Sequence, residues 1–257
     1  MAIAESLHWY DRDGTPRYQV PYADPSKGLR NTTLRDAKKE GYVPSVTSIL
    51  NIPAKPGLDR WKQNQILEAA WTTERGDLSK EDWSIQVIMK SSEISSQTAS
   101  IGTAIHANIE EYYKSGEILS PEYEVHVRNT EKELEKFYPG GFVAERSFGH
   151  PLGYGGKVDL SVQSDEIPRG MVFDFKSKDF TEDTPISKLC WPEQALQLDA
   201  YRHGLGMTKA QMISIYIDRE TGIVKSYEWP EGDYFEQFKC LLKYWQLSKG
   251  YNSSYRL

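Results

Sequence analysis

Two short stretches hold the residues best suited to chemistry. In "GKVDL", Asp159 stands between Val158 and Leu160; in "VFDFKSK", Asp174 and Lys176 alternate with Phe173 and Phe175. Residues two apart on a strand share a face, so Asp174 and Lys176 lie side by side and turn away from the phenylalanines. Asp159 likewise points opposite to its apolar neighbours, which places Val158 and Leu160 together. If the two strands pair as a hairpin, Asp159 joins the same patch. Two carboxylates suit a hard divalent cation such as magnesium or manganese, which takes oxygen ligands. A lysine beside them can orient or help deprotonate an attacking water and can neutralise phosphate charge. The same three residues also fit a half-exposed hairpin with one cross-strand ion pair of little energetic weight.

Two helical stretches add to the set. "GTAIHANIEEYY" places His106 four residues before Glu110, on one helical face. Imidazole is a common metal ligand, although a lone helical histidine is more often structural. "EQALQLDAYRHG" puts Gln197 and Tyr201 four apart, both able to hydrogen-bond a phosphate or the lysine. Each pair alone also suits the surface or the core edge of an amphipathic helix.

In chain order these residues form a series: His106, then G-x-x-D ending at Asp159, then D-x-K at Asp174 and Lys176, then Q-x-x-x-Y at Gln197 and Tyr201. The series resembles the PD-(D/E)xK nuclease superfamily, and within it the RecB-type exonucleases. That branch includes the CRISPR-associated adaptation nucleases and the mitochondrial genome maintenance exonuclease. The resemblance spans Ile101 to Trp229, and "PSVTSIL" upstream is similar to an N-terminal segment of some members.

The resemblance implies a restriction-endonuclease-like core and hydrolysis of DNA with one or two Mg2+ or Mn2+ ions. It implies Asp159, Asp174 and the Phe175 carbonyl as metal ligands, with His106 completing the shell. Lys176 would position the nucleophilic water, and Gln197 and Tyr201 would brace Lys176 or hold the substrate phosphate. Glu110 is a candidate for a second metal or its water shell, and Glu145 in "VAERSF" for a supporting role from the same sheet. Val158 replaces the proline of the family's first motif. Only Cys190 and Cys240 are present, so the cysteine quartet of some relatives is missing and no iron–sulfur cluster is expected. No G-x-x-x-x-G-K-[ST] motif occurs, so unwinding must come from a partner, or the substrate is already single-stranded.

Contacts to DNA are expected from local residues. Arg128, Lys132 and Lys136 recur at four-residue spacing and fit either a phosphate track or a solvated helix face. Trp61, Trp71 and Trp191 are candidate stacking platforms for a single strand.

The elements that must position these groups follow from the patterning. "DRDG" between aromatic runs predicts a small hairpin at the start. Ser45 can cap a short helix, and Leu58 to Trp71 reads helical. Residues 80–114 favour helix with a polar break at "SSEISSQTAS", and Gly116 ends the "IGTAIHANIEEYYKSG" helix. A further helix runs from Pro121 to about Tyr138. Three β-like runs follow, "GFVAERSFGH", "GYGGKVDLSVQ" and "RGMVFDFKSK". Then come a helix from "WPEQ" to Gly204, two strands joined around Glu220–Gly222, and a closing amphipathic helix. The fold class read from this order is mixed α/β (α+β): a central mixed β-sheet flanked by helices. The whole chain, 1–257, reads as a single domain, with a mostly helical N-terminal lobe over 1–100 and the nuclease core over 101–257.

The bulk composition sets limits. The 31 Lys and Arg against 37 Asp and Glu give a net charge of −6, unlike a protein that binds nucleic acid through overall charge. Two cysteines are too few for a disulfide framework. No leader-like segment opens the chain and no apolar run is long enough to span a membrane, so an intracellular, cytoplasmic protein of a phage or bacterial host is expected. Three functions stay open: an exonuclease on single-stranded DNA or DNA ends, an endonuclease on the same core, and a non-catalytic nucleic-acid-binding protein. By family association, a stand-alone nuclease of this size suits phage or mobile-element replication and recombination, beside a recombination or replication protein.

Overall fold

A computed structural model describes residues 8–256. The expectation about a leader concerns the opening stretch 1–14, of which residues 1–7 lie outside the described residues. Two small antiparallel pairs begin the chain: β1 (Trp9–Tyr10) pairs with β4 (Val43–Pro44), and β2 (Gln19–Pro21) with β3 (Leu29–Asn31). The Asp13-Gly14 turn forms, with Gly14 at φ +88° and a bridge between Tyr10 and Pro16. Across it the Arg17 N–H donates to the Trp9 carbonyl at 2.7 Å and the Asp11 N–H to the Thr15 carbonyl at 2.9 Å, so the small hairpin forms.

Between β3 and β4 lies α1 (Leu34–Glu40), bracketed by a Thr33–Asp36 capping box and Gly41 at φ +75°. Ser45 caps α2 (Val46–Ile49), its Oγ accepting the Ser48 N–H at 3.0 Å. Then come α3 (Pro56–Trp71), α4 (Lys80–Ser115) and α5 (Glu124–Glu135).

The predicted break in α4 is absent. Its serines bond back along the helix, Ser91 and Ser92 to the Ile88 carbonyl and Ser95 to the Ser91 carbonyl, at 2.8–2.9 Å. These polar side chains are thereby satisfied within the helix they were expected to interrupt. One continuous helix of 36 residues results, about 54 Å long.

The remaining elements are β5 (Val143–His150), β6 (Tyr154–Val162), β7 (Met171–Lys178), α6 (Pro192–Gly204), β8 (Gln211–Asp218), β9 (Val224–Trp229) and α7 (Tyr234–Ser248). The strands form one mixed sheet in the order β5-β6-β7-β8-β9, in which only the β7–β8 pair is parallel.

Each face of the sheet carries its own core. On one face Val158, Val172 and Met212 pack with Ile49 of α2, Leu198 of α6, and Phe238 and Trp245 of α7. On the other, Leu160, Phe173 and Ile215 pack with Ile105 of α4 and Leu134 of α5. This three-layer arrangement buries both faces of the central strands. Among the described residues no helix is long and apolar enough to cross a membrane.

Two expectations change here. Val158 and Leu160 do not share a face; they belong to opposite cores. The period-two alternation slips at Asp159. The residue flanked by its neighbours' β5 partners is Glu145, which holds a left-handed backbone at φ +60°. A non-glycine residue in that region marks local strain.

Helices lie toward the N-terminus, as expected. β1, β4 and α2 pack onto β6, α6 and α7 of the sheet domain, with a further bridge from Ser45 to Gly155. The helices α3 and α4 pack on each other, and residue 100 falls inside α4.

Candidate active site

The β6–β7 ladder runs from Val162 opposite Met171 to Leu160 opposite Phe173, and stops there. Just beyond, Asp159 Oδ2 accepts the Phe175 N–H at 2.7 Å. A side chain thus takes a main-chain donor that the ladder leaves unpaired.

On β7, Asp174 shares the Val172 face and meets α6. Its Oδ1 accepts from Gln197 Nε2 at 2.8 Å, and the same Nε2 lies 2.9 Å from Tyr201 Oη. Gln197 Oε1 accepts from Lys176 Nζ at 3.3 Å. Asp174 Oδ2 is buried and faces Lys176 Nζ at 2.6 Å, an ionic contact outside hydrogen-bond geometry. One glutamine therefore holds the acid, the lysine and the tyrosine together.

The glycine of G-x-x-D has a packing reason. A Cβ at Gly156 would lie 2.9 Å from Tyr201 Cε1 and 2.8 Å from Phe148 Cζ. On the opposite face, Gly102 lets α4 approach β7, since a Cβ there would stand 2.4 Å from Ser177 Oγ. One turn further along α4, His106 sets its ring edge-on to Phe175, centroids 5.9 Å apart. His106, Asp159 and Lys176 line one cleft of 590 Å³, which Glu110, Glu145 and Lys157 also border.

Burial dominates the electrostatics of this cleft and of Asp174, which is buried beside Lys176 and does not itself line the cleft. It pushes Asp174 up to about 6, with the Asp159 charge adding and Lys176 opposing. Asp159 is also raised by burial, against Lys176 and the Phe175 N–H. His106 is lowered to about 4 by burial and the Lys176 charge. Burial and the two aspartates hold Tyr201 well above the usual phenol range. Two desolvated acids beside one ammonium thus favour a further positive charge.

The donor types, two carboxylates, an imidazole and a carbonyl, suit a hard divalent cation. Among the described residues no three His, Cys, Asp or Glu side chains are grouped closely enough to hold an ion alone. Magnesium commonly binds through one or two carboxylates and completes its shell with water and substrate phosphate, so the chemistry of the donors fits that ion.

Glu145 and Glu110 both reach the cleft but already have cations: Glu145 pairs with Lys157, and Glu110 with Lys114 one turn along. The helix α5 is not brought to the site. Arg128 is held by Glu131 and stacks on Tyr112, Lys136 pairs with Glu133, and Lys132 is exposed; none borders the cleft. Trp71, 92% exposed at the end of α3, is likewise outside it. Trp61 and Trp191 border a neighbouring cavity.

Three residues absent from the sequence reading stand out. Lys157 and Ser177 line the cleft, and Arg219 crosses from the end of β8. Arg219 is clamped by both Asp179 oxygens at 2.6–2.7 Å and donates to the Ser177 carbonyl at 3.1 Å. The parallel β7–β8 pairing puts Asp218 opposite Lys178 and so delivers Arg219. No local pattern in "IDRETG" signals that register.

No family model matches the chain, and no curated protein matches it. Among solved structures it is similar to one titled "Crystal structure of SSO0001", at 16% identity and a TM-score of 0.31, over 55% of this chain and 68% of that one. A likeness that slight carries no argument about fold or function.

Proposed function

We propose that the chain is a divalent-cation-dependent deoxyribonuclease of the PD-(D/E)xK type, acting on single-stranded DNA or free DNA ends. The single observation that carries the reading is the bracing of Asp174, Lys176 and Tyr201 by Gln197, beside an Asp159 carboxylate tied to the next strand. A surface hairpin with one ion pair has no need of a buried glutamine that bonds all three groups.

Asp159, Asp174, the Phe175 carbonyl and His106 would hold the cation. A magnesium or manganese ion bound there supplies charge neutralisation at phosphate and a more acidic bound water. The chain's own groups then act on the substrate. Lys176 orients the water that adds to phosphorus and offsets phosphate charge, while the P–O bond to one sugar oxygen breaks. Gln197 keeps Lys176 and Asp174 in register, and Tyr201 anchors Gln197. His106, kept neutral by burial, has a ring-nitrogen lone pair to offer a cation.

A second reading, a nucleic-acid-binding protein without catalysis, is favoured by the direct Lys176–Asp174 contact. One experiment separates the readings. End-labelled single- and double-stranded oligonucleotides and a closed circle are incubated with magnesium, with and without EDTA, using wild type and Lys176→Ala. Shortening of linear DNA by the wild type alone, lost in EDTA, supports the exonuclease. Cutting of the circle points to an endonuclease, and binding without cutting to the second reading.

A further inference from the structure

Beside the carboxylate cleft lies a second cavity of 520 Å³, within the range of about 300–1,000 Å³ typical of small-ligand sites. The two share Thr98, Ala99, Ser177 and Arg219 as borders, so they adjoin along α4. Their linings differ in kind. The first is bordered by carboxylates, His106 and lysines. The second is walled by Leu58 and Trp61 of α3 and by Leu189 and Trp191 ahead of α6, with Lys188 and Arg219 at its edge.

One wall is built rigidly. The Lys178 ammonium lies 3.9 Å from the Trp191 ring centroid and donates to the Leu189 carbonyl at 2.5 Å. Trp191 also lies close against α3, where a Cβ on Gly57 would be 3.2 Å from Trp191 Cζ2, and its backbone N–H donates to Gln194 Oε1 at 3.0 Å. Trp61 is half-buried on the facing helix. Between the two cavities the Arg219 guanidinium is fixed by Asp179 and the Ser177 carbonyl.

We infer that this second cavity is a nucleobase subsite, which takes the base of one unpaired nucleotide next to the phosphate held in the carboxylate cleft. Three features argue for that occupant. The cavity continues directly from the cleft, as the sugar–phosphate chain of a substrate would. Its walls are aromatic and aliphatic, and stacking on such walls is open to every base. Lys178, Lys188 and Arg219 line the cavity against one acid, Asp179, which leaves net positive charge where the flanking phosphate would run. A base in a duplex is covered by its stacked neighbours and cannot enter, so the terminal nucleotides must be unpaired before they reach the site. The inference rests on the nuclease reading for its cleft phosphate and adds the base that sits beside it.

The test is a binding titration with the full chain in EDTA, so that no cleavage intervenes. The probe is a short fluorescein-labelled oligothymidylate, read by anisotropy against a blunt duplex. Trp61→Ala is expected to weaken single-strand binding by roughly 5–100-fold, and Trp61→Phe to retain it. An abasic substitution at one position of the oligonucleotide should reproduce the loss with wild type and cause no further loss with Trp61→Ala. Unchanged binding by Trp61→Ala, additive losses, or no binding of the oligothymidylate by wild type would each overturn the subsite. Failure of the nuclease reading shows differently: wild type binds with this pattern yet cuts nothing in magnesium. Matching thermal melts for the Trp61 variants separate lost binding from lost folding.

Discussion

Asp159 and Phe175 are joined by a 2.7 Å hydrogen bond from the Phe175 N–H to Asp159 Oδ2. It lies immediately past the last β6–β7 ladder pair, so one strand's side chain reaches the other strand's backbone where the strands part. A carboxylate that accepts a main-chain N–H is held in orientation and favoured in its charged form. The bond therefore fixes Asp159 next to Asp174 and Lys176.

Gln197→Ala removes the donor to Asp174 and the acceptor for Lys176. Under the proposed function, magnesium-dependent cleavage should drop by roughly 10–100-fold, the usual effect of losing a residue that orients ligands. The magnesium concentration for half-maximal rate should rise as well. A steady-state assay across magnesium concentrations checks this, and an unchanged half-maximal concentration would show that Gln197 does not orient the acid.

Gly156→Val places methyl groups where Tyr201 and Phe148 already lie. Overpacking of this kind costs about 1–3 kcal/mol, which urea denaturation should show. The displaced Tyr201 can no longer anchor Gln197, so activity should fall at temperatures where the variant is still folded.

Glu145 is the non-glycine residue with a left-handed backbone among the described residues, at φ +60°. Glycine takes that conformation freely, whereas a Cβ costs about 1 kcal/mol or more. Glu145→Gly should thus be more stable than Glu145→Ala by about 1 kcal/mol, the reverse of the usual order in a strand. Thermal melts of the two variants decide it, and equal stabilities would mean that no strain resides there.

Asp199 joins α6 to α7. It accepts from Arg202 Nε at 2.7 Å and from the Phe235 N–H at 2.9 Å, and lies beside His203, whose ring stacks on Phe235. Burial alone would raise its pKa, but His203 and Arg202 together hold it below the ordinary 3.8. The folded state therefore binds a proton less readily than the unfolded chain. Its contribution is fully present above the unfolded value and fades as pH falls through 3.8 and below. Asp199→Asn should cost on the order of 1 kcal/mol at pH 7, because Arg202 loses one charged partner but keeps Glu231 at 2.9–3.1 Å. The deficit should shrink toward pH 3, as measured by urea denaturation at both pH values. A deficit independent of pH would assign the effect to packing rather than charge.

Much of the positioning of the site was legible in the chain. Alternation in "VFDFKSK" placed Asp174 and Lys176 on one face, and four-residue spacing aligned Gln197 with Tyr201, because both periods are local backbone geometry. Gly116 at φ +80° and the Ser45 cap are likewise short-range matters of conformation and hydrogen bonding. Reading along the chain failed where a distant partner sets the outcome. The serines of α4 looked like a break because their satisfaction by carbonyls one turn back needs the helix to exist already. Arg128 and Lys136 looked available because their acidic neighbours had not been paired with them. The slip of alternation at Asp159 depends on Glu145 of another strand. Arg219 enters the cleft only through a parallel pairing that joins residues about forty positions apart, whose loop-closure cost no local pattern records. The sequence by itself therefore determined which side chains face together within β7 and α6, but not within β6, where the slip at Asp159 sends Val158 and Leu160 to opposite cores. Only the tertiary structure decided which elements meet, since that choice is made by packing of the two cores against one twisted sheet.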